Sequence, residues 1–223
     1  MEYDAVVFDM DGVLVERTPS WVFDEAATEA LAAAGIDDPT DYEFHAVRTL
    51  NADPEAATDH FETEHGVDFP TVWSHRDELV TDKQVTAVAR DEKTTYEHAA
   101  AATELPVPTA VVSNNLQRAV ETVLGAFDLV DRFETLYGLA PDLSEHDKRK
   151  PNPVYLRQAL DELDADDAVY VGDRPSDVAA AHNAGIDSAF VRRPFAADTT
   201  FDGDEPTYDV DSLAAFRDAI YGS

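Results

Sequence analysis

The stretch VVFDMDGVLV, residues 6–15, ends an apolar run with two aspartates two positions apart and follows them with a glycine. The chain is acidic throughout, with 47 Asp and Glu residues against 16 Lys and Arg. In so acidic a chain, roughly four Asp-x-Asp pairs are expected by chance. The sequence contains four. The meaning of Asp9 and Asp11 therefore depends on their surroundings and not on their spacing.

The composition indicates a folded protein with an acid-rich surface. Hydrophobic residues make up 44% of the 223 positions, whereas disordered proteins of similar charge also lack apolar residues. The formal net charge is -31, and the acids are spread along the chain beside only four lysines. This pattern favours a halophilic protein whose surface stays soluble in high salt, with attraction to a basic partner as the alternative.

The features that the chain lacks argue against several classes of protein. It has no basic patch to neutralise the phosphates of a nucleic acid and no apolar run long enough to span a membrane. No signal segment stands near its start, so we expect a cytoplasmic protein. We expect either a monomer or a homodimer. Because it has no cysteine, disulfides, thiolate metal sites and a cysteine nucleophile are excluded.

Short apolar runs alternate with helical patterns in most of the chain. The runs rich in β-branched residues are 5–8, 109–112, 168–171 and 188–191, with a weaker one at 207–210. The helical patterns that follow them are 116–127, 153–163, 176–184 and 212–221. Continuous apolar strands that alternate with helices predict an α/β fold, a doubly wound parallel sheet covered on both faces.

The interval between the first and second strands is too long for a simple crossover. It carries helical patterns at 21–34, 42–50, 55–65, 71–90 and 96–104. Asp53 followed by Pro54 is typical of a helix start, and Gly35 and Gly66 stand where helices should end. These signals predict an all-helical domain at residues 17–92, inserted into an α/β core formed by residues 1–16 and 93–223.

Polar residues follow the predicted strands at the edge where a parallel sheet binds ligands. The first strand is followed by Asp9, Asp11 and Gly12, the second by Ser113, Asn114 and Asn115, and the third by Gly172, Asp173 and Asp177. The segment KRKPNP, residues 148–153, adds Lys150 to this series. The sequence therefore predicts one site at the carboxyl ends of the strands.

These residue types suit phosphate chemistry with magnesium. Carboxylates at neighbouring strand ends, Asp9 and Asp173, can hold a hard cation that also takes a phosphate oxygen. Ser113 and the backbone N–H groups beside it can cradle the phosphate, and Lys150 can supply a positive charge. Asp9 could then attack phosphorus, while Asp11 exchanges protons with the leaving group and with water.

Four segments of the chain resemble, in this order, the four motifs of the haloacid dehalogenase superfamily of phosphatases: DMDGVL, VVSNN, KPNP and VGDRPSD. The inserted helices resemble a subclass I cap. The resemblance implies a Mg²⁺-dependent enzyme in which the cap closes over the site. It implies that Asp9 is the nucleophile and a metal ligand, and that Asp11 is the acid/base and binds the metal through its backbone carbonyl. It further implies that Asp173 and Asp177 complete the metal site. The residues that bind phosphate would be Ser113, Asn114 and Lys150.

The resemblance also ranks the possible reactions. The dehalogenases of this superfamily lack an acid two residues after the nucleophile, so Asp11 favours a phosphatase that acts on a small phosphorylated metabolite. The phosphoglycolate phosphatases are the most similar members. A phosphomutase similar to β-phosphoglucomutase and a non-catalytic phosphate-binding module remain as alternatives.

Substrate selection is harder to predict. Many similar enzymes carry Asp-Ser near positions 16–18, where this chain has Glu16, Arg17 and Thr18, so Arg17 is a candidate for a second anionic group of the substrate. In the inserted domain, the pairs His45 with Arg48 and Trp73 with Arg76 can each share a helix face. Ordinary helix packing is the competing interpretation for these four residues.

Overall fold

The computed structural model describes residues 3–49, 53–97, 99–102, 104–201, 203 and 205–222. The chain divides into two compact units. One unit combines Met1–Arg17, Thr94–Leu139 and Asp147–Ser223, and the other combines Thr18–Lys93 with Ala140–His146. We call them the α/β unit and the helical unit. The sequence contains no signal that residues 140–146 belong with the inserted helices.

In the described part of the chain, six parallel strands form one sheet in the order β3-β2-β1-β4-β5-β6. The strands are β1 (Ala5–Phe8), β2 (Thr109–Leu116), β3 (Thr135–Leu139), β4 (Ala168–Gly172), β5 (Asp187–Val191) and β6 (Tyr208–Val210). This topology confirms the predicted doubly wound α/β fold. Because the strand order reverses at β1, the crevice for ligands is expected at the carboxyl end of β1 and its neighbours.

Strand β3 is missing from the sequence prediction. It pairs with β2 at the edge of the sheet, and its first three residues are only half-buried. The Gly138 backbone lies so close to Gln117 that an added Cβ would come within 2.6 Å of the Gln117 amide nitrogen. A half-exposed edge strand that carries a glycine lacks the continuous apolar pattern by which the other strands were predicted.

Helices cover both faces of the sheet. In the α/β unit they are α5 (Ala99–Ala102), α6 (Gln117–Ala126), α7 (Val154–Leu163), α8 (Pro175–Ala184) and α9 (Leu213–Tyr221). Helices α7 and α8 pack on the face that carries Val7 and Tyr170. On the opposite face, Phe8 packs edge-on against Phe133 and Phe216. Burial on both faces explains why the central strands are continuous apolar runs.

The helical unit contains α1 (Ser20–Ala33), α2 (Asp41–Thr49), α3 (Pro54–His65) and α4 (Phe69–Ala89). The predicted start of α3 is confirmed, since the Asp53 side chain accepts a hydrogen bond from the Ala56 amide and Pro54 is its first residue. Its end is also confirmed, because Gly66 adopts the left-handed conformation there, with φ of 66°. The core of this unit includes Leu31, Phe61 and Phe69.

One predicted helix is much shorter in the structure. Of the described residues in the pattern at 96–104, only Ala99–Ala102 is helical. His98 and Thr103 lie outside the described residues, and so does Leu50, the last residue of the pattern at 42–50.

Among the helices that the structure describes, none has the length and apolar character that crossing a bilayer requires.

Candidate active site

The turn after β1 is built around Gly12. Its φ is 83°, and a Cβ at this position would lie 2.0 Å from Asp173 Oδ2, so both conformation and space require glycine. Arg193, which follows β5, donates hydrogen bonds of 2.8 Å to the carbonyls of Gly12 and Val13. The Arg193 guanidinium also stacks on the Tyr96 ring at 3.5 Å. The turn is therefore held by residues distant in sequence.

Asp9 stands at the end of β1 with 5% of its surface exposed. Its Oδ1 accepts a hydrogen bond of 2.8 Å from the Met10 amide and lies 3.0 Å from Lys150 Nζ. Burial raises the pKa of Asp9 to about 7; Lys150 opposes this rise, and the charges of Asp177, Asp173 and Asp11 add to it. Without further positive charge, Asp9 would be partly protonated near neutral pH.

Lys150 contacts residues of β2, β4 and α8. Its amide donates to Asn114 Oδ1 at 2.8 Å, and its Nζ lies 2.7 Å from Asp177 Oδ1. Nζ also donates to the Tyr170 hydroxyl at 2.6 Å, and this hydroxyl donates onward to the Val112 carbonyl. Burial lowers the pKa of Lys150, but Asp177 and Asp9 more than compensate and the pKa is raised. The buried ammonium therefore keeps its charge.

Asp177 has two tasks in the structure. Its Oδ2 accepts hydrogen bonds from the amides of Asp173 and Arg174, at 3.1 and 2.9 Å, and so caps the first turn of α8. Its Oδ1 faces Lys150. A Cβ at Gly172 would lie 2.1 Å from that of Asp177, so the glycine permits this close approach. Capping the helix and binding a cation are compatible, because they use different oxygens.

Asp173 is buried and only partly satisfied. Its Oδ2 accepts from Arg17 Nε at 2.8 Å and pairs with Arg17 Nη2 at 2.7 Å. Its Oδ1 is buried and has no hydrogen-bond partner among the residues that the structure describes. Burial raises the pKa of Asp173, the charge of Asp177 raises it further, and Arg17 opposes both. A buried carboxylate oxygen without a donor is typical of a cation site.

We use the name acidic edge for Asp9, Asp173 and Asp177. Each offers a carboxylate oxygen, these oxygens lie within 4.8 Å of one another, and all three residues are buried. A donor set made only of oxygen suits a hard cation such as Mg²⁺. Together with the unpartnered Asp173 Oδ1, this arrangement fits the metal that the sequence predicted.

Polar residues in the carboxyl-terminal half of β2 also contribute to the site. Asn115 Nδ2 donates to Asp11 Oδ2 at 2.9 Å, and Ser113 Oγ accepts from the Asn115 amide at 3.2 Å. Ser113 is buried, whereas Asp11 is half-exposed. Asn114 uses its side-chain oxygen to hold the Lys150 amide. Asp11 is thus oriented by an amide side chain and keeps access to solvent.

Three contributors to this site were not singled out in the sequence. Asn115 lies in the VVSNN segment, but the resemblance assigns it no role. Tyr170 lies within an apolar strand, and Arg193 follows another strand in a segment that resembles no motif. A tyrosine in a fully buried strand does carry a signal, because its hydroxyl needs a partner. No local pattern identifies Arg193, since its acceptors lie about 180 residues earlier.

The candidate substrate residues of the helical unit have partners inside that unit. Arg48 pairs with Asp24, and the exposed His45 Nδ1 lies 2.7 Å from the Asp41 carbonyl. Trp73 is buried, and the buried Arg76 guanidinium lies 4.7 Å from its ring centroid. In the α/β unit, Arg17 stays bound to Asp173, with 35% of its side chain exposed.

The sequence is similar to those of known hydrolases. The sequence model of the haloacid dehalogenase-like hydrolase family matches residues 6–191. An N-acetylmuramic acid 6-phosphate phosphatase from Pseudomonas aeruginosa is 27% identical over 194 residues, which are 86% of this chain and 83% of that protein. A protein named "Putative pyrophosphatase PpaX" from Caldanaerobacter subterraneus is 28% identical over 118 residues, so the match spans about half of its length, 52%.

Solved structures share the fold over nearly the whole chain. CbbY from Rhodobacter sphaeroides, crystallised with phosphate, superposes with a TM-score of 0.68 at 22% identity and covers 96% of both chains. A phosphatase-like protein from Clostridium acetobutylicum superposes with a TM-score of 0.63 at 18% identity, covering 98% of both chains. The sheet and the inserted helices therefore recur together in distant proteins.

Proposed function

The chain belongs to the haloacid dehalogenase-like hydrolase family, and we propose that it is a magnesium-dependent phosphatase that hydrolyses small phosphomonoesters through an aspartyl-phosphate. The observation that carries this proposal is the acidic edge, in which three buried carboxylates lie together and the buried Lys150 pairs with two of them, Asp9 and Asp177. The half-exposed Asp11, two residues after Asp9, supplies the acid that phosphoryl transfer to water needs.

In the proposed first step, Asp9 attacks phosphorus and the ester oxygen leaves as an alcohol. The Met10 amide and Lys150 both hold Oδ1 of Asp9, which orients the carboxylate for attack in line with the leaving oxygen. A magnesium ion bound at the acidic edge would supply positive charge that keeps the carboxylates ionised and neutralises the phosphoryl oxygens.

Asp11 serves as the proton carrier in this scheme. As an acid it protonates the leaving alkoxide, and as a base it then takes a proton from the water that hydrolyses the aspartyl-phosphate. Its hydrogen bond from Asn115 fixes its direction. Ser113 and Lys150 are the proposed phosphate contacts, because a hydroxyl and an ammonium beside Asp9 can bind the oxygens that do not react.

For the substrate, we propose a small soluble phosphomonoester of the phosphoglycolate or sugar-phosphate type. Similarity to an N-acetylmuramic acid 6-phosphate phosphatase supports this class, as does a mutant CbbY structure that holds xylulose-(1,5)bisphosphate. Arg17 at the rim of the acidic edge is the proposed contact for a second anionic group, since a third of its side chain is exposed.

A panel of phosphate esters tests the proposal. Purified protein in molar KCl with Mg²⁺ is incubated with phosphoglycolate, sugar phosphates, nucleotides and pyrophosphate, and released phosphate and alcohol are quantified. We expect equal amounts of phosphate and alcohol, and loss of both on chelation with EDTA. Transfer of the phosphoryl group to a second sugar hydroxyl without free phosphate would indicate a mutase. Hydrolysis of no ester would refute the proposal.

A further inference from the structure

A second convergence of metal-binding side chains lies in the helical unit. Glu43 of α2 is buried, with 3% of its surface exposed. Its Oε1 lies 3.0 Å from His60 Nε2 and 2.5 Å from His65 Nε2, and both histidines belong to α3. The three atoms lie within 4.8 Å of one another. Two helices thus bring one oxygen and two nitrogens close together.

The carboxylate is fixed by a capping interaction. Glu43 Oε2 accepts a hydrogen bond of 2.7 Å from the Thr40 amide, and Thr40 Oγ1 accepts from the Glu43 amide at 3.3 Å. This reciprocal pair is a capping box at the start of α2. Because Oε2 is held by Thr40, Oε1 is directed at the histidines. An orienting hydrogen bond behind a ligand oxygen is typical of metal sites.

The histidine rings are positioned by packing. The His60 ring lies 4.8 Å from the Tyr42 ring and 5.8 Å from Phe61, and the His65 ring lies 6.1 Å from Phe61. His65 is the last residue of α3, and the left-handed Gly66 ends the helix there. The side chains of His60 and His65 remain 32% and 28% exposed. The cluster is therefore packed against aromatic rings on its inner side and open to solvent on the other.

From this geometry we propose that Glu43, His60 and His65 form a zinc site that joins α2 to α3. Two imidazole nitrogens and one carboxylate oxygen are ligands that Zn²⁺ accepts, and the open side leaves the fourth position to water. Each Nε2 would bind with its lone pair while the ring proton resides on Nδ1. The site differs from the oxygen-only acidic edge, so the two clusters select different cations.

The competing account is a cluster held by hydrogen bonds alone, in which both Nε2–H groups donate to Glu43. Glutamine separates the two accounts, because its side-chain amide can still donate to Glu43 but is a poor zinc ligand. We therefore choose the double substitution His60→Gln/His65→Gln. The matched control is His75→Gln, an exposed histidine of α4 in the same unit.

Zinc is titrated into the full-length, metal-stripped protein in the presence of excess Mg²⁺, and binding is followed by calorimetry and by the shift in Tm. We expect the parent and the His75→Gln variant to bind one more equivalent of Zn²⁺ than the double variant does. Zinc should raise the Tm of the first two by more than that of the double variant. Zinc that enters the acidic edge is common to all three proteins and cancels in the comparison.

A second measurement does not depend on folding of a variant. In the unsubstituted protein, two-bond ¹H–¹⁵N spectra of the imidazoles should show zinc-dependent shifts at Nε2 of His60 and His65. Equal zinc stoichiometry and equal Tm shifts in the parent and the double variant would overturn the proposal, as would Nε2 resonances that do not respond to zinc. None of these measurements depends on phosphatase activity.

Discussion

The acidic edge and the Glu43 cluster both contain buried carboxylates beside basic side chains, yet the pKa values of Asp9 and Glu43 shift in opposite directions. Burial raises the pKa of Asp9 to about 7 despite Lys150. Burial also acts to raise the pKa of Glu43, but hydrogen bonds from His65, His60 and Thr40 outweigh it and lower the pKa to about 2. Burial alone therefore does not decide the charge of an acid.

The difference lies in the charges around each carboxylate. Glu43 alone receives two imidazole nitrogens and one backbone amide. In the acidic edge, Lys150 pairs with Asp9 and Asp177, and Arg17 pairs with Asp173. Asp9 also lies among the charges of Asp177, Asp173 and Asp11, which raise its pKa. In the metal-free protein Glu43 therefore keeps its charge, whereas the neighbouring carboxylates of the acidic edge need a cation to stay ionised together.

The most disruptive test of the acidic edge is Asp9→Asn. If Asp9 is the nucleophile, phosphate release should fall by more than about 10³-fold, a barrier increase of about 4 kcal/mol. Circular dichroism should be unchanged, because asparagine keeps the size of the side chain. The matched control is Asp166→Asn, an exposed acid of the α/β unit. Residual activity within about tenfold of the parent would refute the assignment.

Asp11→Asn tests the acid that stands outside the buried cluster. Because hydrolysis of the aspartyl-phosphate needs a base, steady-state turnover should fall by about 10²–10⁴-fold. The phosphorylated enzyme should accumulate and be visible by mass spectrometry of the acid-quenched reaction. An unchanged turnover would contradict the role proposed for Asp11.

The opposite pKa shifts predict opposite dependence of stability on pH in the metal-free protein. The raised pKa of Asp9 adds stability below about pH 4 that is lost as the pH rises to about 7. The lowered pKa of Glu43 adds stability above about pH 4.5 that is lost as the pH falls to about 2.

Urea unfolding at several pH values measures both effects. The difference in unfolding free energy between the parent and Asp9→Asn should decline from pH 4 to 7, and Mg²⁺ should reduce this decline. The difference between the parent and Glu43→Gln should grow from pH 2 to 4.5. Parallel pH curves in either comparison would contradict the corresponding shift.

Tyr170→Phe tests whether the Tyr170 hydroxyl positions Lys150 beside the acidic edge. The substitution removes the acceptor for Lys150 Nζ and the donor to the Val112 carbonyl. Unfolding free energy should fall by about 1–2 kcal/mol, because buried polar groups lose partners. We expect kcat to fall by about tenfold, a barrier increase of about 1.4 kcal/mol, with KM nearly unchanged. Tyr155→Phe, on α7, is the control, and equal behaviour of the two variants would exclude a role for Tyr170 in positioning Lys150.

Asp53→Ala gives the smallest expected effect and concerns the helix that carries His60 and His65. Loss of the hydrogen bond to the Ala56 amide should lower the unfolding free energy by about 1 kcal/mol. Asp59→Ala removes an exposed acid from the middle of the same helix and serves as the control. If both substitutions have the same effect on the urea midpoint, the cap at Asp53 does not stabilise α3.

Local signals account for what could be predicted. The apolar runs at β1, β2, β4 and β5 are continuous because both faces of the sheet are covered, and the cap at Asp53 is a contact between residues three apart. Strand β3 was not predicted, because this half-exposed edge strand lacks a continuous apolar pattern. The substrate roles of Arg17, His45, Arg48, Trp73 and Arg76 stay predictions, since each side chain has a partner that packing alone explains.

The sequence by itself determined the class of fold and the strand ends at which polar residues gather, because periodicity and helix caps are short-range properties of the chain. Only the tertiary structure decided which of those groups meet. The order β2-β1-β4 brings Asp9 to Lys150 and Asp177, and the fold carries Arg193 to the carbonyls of Gly12 and Val13. The convergence of Glu43 with His60 and His65 likewise required the packing of α2 against α3, because no local pattern encodes contacts between separate elements.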